Sequence, residues 1–238
     1  MQAQRVSANH GGGVAEGAAP PFAICGRPSL LLPSAACSLT LGALDRLARV
    51  LVMRGVSANL ITSWSIAMAL ISGLLVSIGQ FGWATAALTV ASLGDALDGL
   101  VARRAHSASV GGALLDAAGD RYQEFFFLGG VAVYLRGSAA ALVVSLLAIA
   151  GSFMVSYASA KAESFRVPVP RGLMRRPERA VCLCLGTLVA SLWPSSSGLP
   201  APMATGGLPL LVAVATVAVA ANASALRRLR AIARASHA

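Results

Sequence analysis

Acidic side chains are scarce in this 238-residue sequence: 9 Asp and Glu stand against 19 Lys and Arg, and charged residues of both signs make up only 12% of the chain. So little charge, beside 56% hydrophobic residues and a mean hydropathy of +0.72, excludes an ordinary soluble domain. Aromatic residues are also few, at 5%, so bases would find little to stack on; the formal charge of +10 points instead to anionic lipid headgroups and phosphorylated substrates, and no nucleic-acid partner is expected. The four cysteines, Cys25, Cys37, Cys182 and Cys184, lack paired spacings, which excludes a disulfide framework. No histidine lies near Cys182 and Cys184 in sequence to complete a metal site, and the thiols read as small buried or incidental groups.

What is present is a series of long apolar runs. Residues 1–39, rich in Gly, Ala, Pro and Ser and without periodicity, are expected to form a disordered leader; Pro28 and Pro33 break the apolar core that a signal peptide needs. In residues 40–56, Leu44, Leu47, Val50 and Leu51 alternate with Asp45, Arg46, Arg49 and Arg54 at helical spacing, as in an amphipathic helix lying in the membrane interface. Asn59 is placed to cap the helix that follows. Six candidate spans then run over roughly 61–79, 82–104, 111–135, 139–162, 180–194 and 206–226, the fifth being short for a bilayer core. They are Ala/Leu/Val-rich without period-two alternation, which excludes a β-barrel. The expected fold is an all-α integral membrane protein with six transmembrane helices preceded by an interfacial amphipathic helix, and residues 231–238 are a basic tail.

The cations give this plan an orientation. With the interfacial helix and every second loop on one side, that side receives 15 of the 19 Lys and Arg; Arg136 faces the opposite side, Arg121 lies within a span, and Arg5 and Arg27 belong to the leader. Positive charge favours the cytoplasmic face, so both termini are expected there, in the cytoplasmic membrane of a bacterium.

Against the general scarcity of acids, four of the nine fall between Asp95 and Asp120. Asp95 and Asp98 are three apart, Asp116 and Asp120 four apart, so each pair shares a helix face, and a short turn between the helices brings the pairs together. Unpaired, such anions would repel one another at a low-dielectric boundary; a hard divalent cation relieves that cost. All-oxygen ligands suit Mg²⁺, Mn²⁺ or Ca²⁺ rather than Zn²⁺, and four carboxylates can hold two ions. Gly99, next to Asp98, and Gly112, one turn from Asp116, either admit a bulky ligand close to the backbone or serve helix packing.

As a string these residues read Asp95-x2-Asp98-Gly99-x2-Ala102-Arg103-x8-Gly112-x3-Asp116-x3-Asp120. This resembles the signature of the CDP-alcohol phosphotransferase family, and the likeness runs from about Leu41 to the C-terminal arginines, making 57–230 the six-helix catalytic domain. The resemblance implies that Asp95, Asp98, Asp116 and Asp120 bind metal, with Mg²⁺ or Mn²⁺ and two ions expected. It further implies that Asp120 is the base for the attacking hydroxyl, that Gly99, Ala102, Arg103 and Gly112 line the CDP site, and that the protein is a homodimer. Glu124, one turn beyond Asp120, is a second candidate base.

The segment from Ser156 to Arg179 carries six cations and two acids. Its Ser-Tyr and arginine-rich portions are similar to those of bacterial phosphatidylinositol-phosphate synthases and their archaeal relatives, and Asn222-x5-Arg228 resembles the subfamily's last element. That likeness implies an acceptor-phosphate pocket made by Arg176, Arg179 and Arg228. The departures are Ser159 for a basic residue, Arg175 for an acid, and Ala58 for a proline. The expected reaction moves a phosphatidyl group from CDP-diacylglycerol to a polar alcohol, inositol 1-phosphate before glycerol 3-phosphate or serine, with release of CMP. Against it stand a membrane prenyltransferase, whose acid pairs lie on well-separated helices, and a transporter, which more often places its carboxylates near mid-bilayer.

Overall fold

The structure, a computed structural model, describes residues 34–105, 109–193 and 205–235. Seven helices follow one another: α1 (Ser34–Met53), α2 (Ala58–Ser77), α3 (Phe81–Arg104), α4 (Val110–Tyr134), α5 (Ala139–Ser164), α6 (Arg176–Leu192) and α7 (Gly207–Ala235), with a 3₁₀ turn at Leu135–Gly137. No strand occurs among the described residues.

Local chemistry sets the helix starts. Serine hydroxyls at Ser57, Ser109 and Ser138 accept from the backbone N–H three residues on, at 3.3, 3.0 and 3.4 Å, satisfying donors that the first turn leaves free. The cap of α2 is therefore Ser57, and Asn59 lies inside the helix, against the expectation from sequence. Pro177 stands in the first turn of α6, where no N–H is needed, and Glu178 accepts from the Arg175 N–H at 2.8 Å.

Among the described residues four helices, α2, α3, α5 and α7, are long and apolar enough to cross a membrane, which makes this an integral membrane protein. Helices occupy the other two expected spans as well, but α4 carries Asp116, Asp120, Arg121 and Glu124 and α6 has only 17 residues, so neither meets that measure. The helix expected over 40–56 begins at Ser34 and ends at Met53, so residues 34–39, assigned to the leader from sequence, are helical; residues 1–33 and 236–238 lie outside the described part.

α2 packs against α3 and α4, α5 against α7, and α6 against α7 and α3, while α1 leans on the C-terminal half of α3. There Ala48 meets Leu97, Leu100 and Val101 in a small apolar cluster, and Asp45 is ion-paired with Arg104. The crossing of α2 and α4 is backbone on backbone at Gly73 and Gly130, where a Cβ on either glycine would fall on main-chain atoms of the other helix. Buried hydroxyls of Ser65, Ser145 and Thr187 return to the carbonyl four residues back, at 2.7 to 2.9 Å, so the apolar interior leaves them satisfied.

Candidate active site

The facing ends of α3 and α4 bring the acid residues together. On α3, Asp98 is 4% exposed and accepts from Thr62 Oγ1 of α2 at 2.6 Å. Asp95, one turn earlier, accepts from Gln123 Nε2 of α4 at 3.1 Å. Single carboxylate oxygens of Asp95, Asp98 and Asp116 lie within 4.8 Å of one another. Asp120 is not one of those three; its Oδ1 lies 2.7 Å from Arg176 Nη1 without a well-directed hydrogen bond.

The trio fits a divalent ion on chemical grounds. Three oxygen donors converge, one of them on a residue almost wholly withdrawn from water, and the repulsion among them needs a positive charge close by.

A cavity of about 570 Å³ adjoins the cluster. Its lining combines the charged side chains of Asp95, Asp98, Asp116, Arg103 and Arg176 with the apolar ones of Leu88, Leu93, Phe127 and Leu183, and with Leu44 contributed by α1. Gly99 and Arg103 are in its wall, and a Cβ on Gly99 would stand 3.3 Å from Arg103 Nη1, so the glycine makes room for the folded guanidinium. Ala102 and Gly112 are not in that wall; a Cβ on Gly112 would face Ser109 Oγ at 3.2 Å and Asn59 Oδ1 at 3.6 Å.

The three arginines assigned from sequence to an acceptor phosphate have separate partners. Arg176 binds both oxygens of Asp95, with Nη2 donating to Oδ1 at 3.1 Å and Nη1 to Oδ2. Arg179 is buried, and its Nε donates to Glu124 Oε1 at 2.6 Å, which occupies the side chain named as a second base. Arg228 of α7 donates through Nη1 to Ser159 Oγ and, at 3.4 Å, to the Val155 carbonyl; its Nε is buried without a hydrogen-bond partner. The backbone at Gly172 passes so near that a Cβ there would stand 3.2 Å from Arg228 Nη2, and Leu173 N–H donates to Ser224 Oγ at 2.8 Å, pinning that loop over the guanidinium.

Sequence reasoning did not find Gln123, Thr62 and Leu44 in the site. The signal for Gln123 was its place on one α4 face with Asp116 and Asp120.

A family model described as CDP-alcohol phosphatidyltransferase matches residues 55–227. The chain is 30% identical to the phosphatidylinositol phosphate synthase of Mycolicibacterium smegmatis over 189 residues, 78% of this chain and 81% of that protein. It is 36% identical to the phosphatidylinositol phosphate synthase of Streptomyces avermitilis over 140 residues, 56% of this chain and 57% of the relative's length. Among solved structures it resembles the Mycobacterium tuberculosis phosphatidylinositol phosphate synthase with CDP-DAG bound, at a TM-score of 0.67 and 25% identity, over 79% of this chain and 92% of that one. A second structure of that protein, in complex with manganese and citrate, matches equally, covering 79% of this chain and 88% of that one.

Proposed function

This chain belongs to the CDP-alcohol phosphatidyltransferase family, and we propose that it transfers a phosphatidyl group from CDP-diacylglycerol to a phosphorylated alcohol, inositol 1-phosphate first, with release of CMP. The observation that carries the reading is the junction, in one cavity, of an acid trio fit for a divalent ion with an apolar wall fit for lipid. The likeness to synthases of phosphatidylinositol phosphate supports the choice of acceptor.

Asp95, Asp98 and Asp116 hold the ion, Mg²⁺ or Mn²⁺, and Asp120 joins them where two ions bind. The bound ions supply charge neutralisation at the pyrophosphate. Gly99, Ala102, Arg103 and Gly112 receive the CDP portion. Asp120 takes the proton of the acceptor hydroxyl; that oxygen forms its bond to the phosphorus bearing diacylglycerol as the bond from that phosphorus to the CMP oxygen breaks, and CMP leaves with the electron pair. Arg228 and Arg179, with Arg176, meet the acceptor's phosphate, and the unpartnered Nε of Arg228 supports that role.

The same reading counts α4 and α6 as spans, giving six in all, with α1 in the interface, both termini and the acid cluster at the cytoplasmic face of a bacterial inner membrane, and a homodimer as the working unit. Purified protein with Mg²⁺ and CDP-diacylglycerol should release CMP when given inositol 1-phosphate, and Asp116→Asn should not. Release with glycerol 3-phosphate alone would make the product phosphatidylglycerophosphate; absence of donor binding and turnover would overturn the transferase reading.

A further inference from the structure

Resting on the metal and acceptor reading above, we propose that Arg176 is a built-in counter-cation which competes with the metal for Asp95 and Asp120, and which metal loading displaces toward the acceptor's phosphate. The first argument is occupancy. Arg176 engages both oxygens of Asp95 and approaches Asp120 Oδ1 at 2.7 Å, while a divalent ion held by the trio needs an oxygen of that same Asp95. A guanidinium keeps its charge at every working pH, so the competition is permanent.

The second argument is charge balance. Asp95, Asp98, Asp116, Asp120 and Glu124 bring five formal negative charges, against two positive ones from Arg176 and Arg179. One divalent ion reduces the resulting −3 to −1 and a second takes it to +1, so the loaded cluster no longer requires Arg176.

The third is freedom of movement. Arg176 is the first residue of α6, its side chain 32% exposed, whereas Arg179 one turn further on is 5% exposed and fixed by Glu124. Residues three apart share a helix face, so a released Arg176 swings along the face that already presents Arg179, whose charge reaches Arg228. The three arginines that the structure holds on separate partners would then surround one anion. Metal loading and acceptor binding become coupled, and the coupling is reciprocal.

The test is Mn²⁺ binding to the purified full-length protein, followed by electron paramagnetic resonance. Arg176→Gln should bind Mn²⁺ roughly tenfold more tightly, within the usual ~5–150-fold range for coupled sites. Arg176→Lys keeps the charge without the two-pronged grip and should fall between that variant and the parent. Arg103→Gln removes a cation from the same cavity wall and should change the affinity less than about threefold. In equilibrium dialysis, retention of inorganic phosphate should depend on Mg²⁺ in the parent and much less so in Arg176→Gln. Unchanged or weaker Mn²⁺ binding in Arg176→Gln would overturn the proposal and make Arg176 an orienting partner of Asp95; an equal gain in Arg103→Gln would overturn it in favour of a general field effect. If Mg²⁺-dependent CMP release is intact while Mn²⁺ affinity ignores Arg176, this proposal alone falls. If the parent binds no Mn²⁺ at all, the metal reading falls with it.

Discussion

Nε of Arg179 lies 2.6 Å from Oε1 of Glu124, a side chain of α6 reaching one of α4, although the two helices hardly approach each other through their backbones. With Asp120 and Arg176 this makes a two-rung ladder: acids four apart on α4 meet arginines three apart on α6, and one member of each rung, Arg176 and Glu124, lines the cavity.

Removing one partner of such a pair leaves a buried charge without compensation. Glu124→Gln should lower stability by about 3 kcal/mol, read as a drop in thermal midpoint in detergent, and Glu124→Gln with Arg179→Gln should recover part of that loss. Additive losses in the double variant would show that the pair contributes nothing as a pair.

Thr62→Val keeps the shape of the side chain but deletes the hydroxyl that donates to Asp98 at 2.6 Å. Outer partners of metal ligands typically alter affinity by about 10–100-fold, so Mn²⁺ binding should weaken by roughly tenfold while Thr62→Ser stays near the parent. An unchanged Mn²⁺ titration would remove Thr62 from the site.

Metal removal gives a third expectation. Chelation with EDTA should abolish CMP release, and Mg²⁺ or Mn²⁺ should restore it, because the phosphate chemistry proposed here needs the charge that the acid trio holds. Activity that survives exhaustive chelation would contradict the assignment.

Arg166 is a fourth case, at φ 55° in the left-handed region. The Arg166 N–H donates to Glu163 O at 3.0 Å and the Val167 N–H to Ala162 O at 2.9 Å, the closing pair of a helix end that ordinarily uses glycine. Arg166→Gly should therefore stabilise the protein by roughly 1 kcal/mol, seen as a raised thermal midpoint. A lowered midpoint would mean that the Arg166 side chain makes a stabilising contact in the membrane-bound protein.

How much of this was legible beforehand depends on the distance over which each feature is decided. Asp95, Asp98, Asp116 and Asp120 lie on two helices that are consecutive and close together in sequence, so helical periodicity and spacing were enough to place them near one another. Arg176 meets Asp95 across 81 positions, and only the packing of α6 on α3 determines which acid it finds. The cap at Ser57 was missed for a local reason: Asn59 and Ser57 are both good caps two residues apart, and pattern alone does not choose between them. Four helices showed their membrane character in composition, whereas the charged residues of α4 keep the helix found at the expected third span from meeting the same measure.

The glycine crossing of α2 and α4 has a bearing on alignment. Gly73 is 11 residues from Thr62 and Gly130 is 10 residues from Asp120, so along each helix the crossing lies about 15 Å from the acid cluster. Because neither backbone can slide past the other there, the crossing acts as the datum from which Thr62 and Asp120 are registered. A methyl group added at Gly73 or Gly130 would tilt both helices about that point, and a small angular error would grow along the lever arms into a misplaced ligand set. Searches for loss of activity confined to the cavity wall would pass over these two positions.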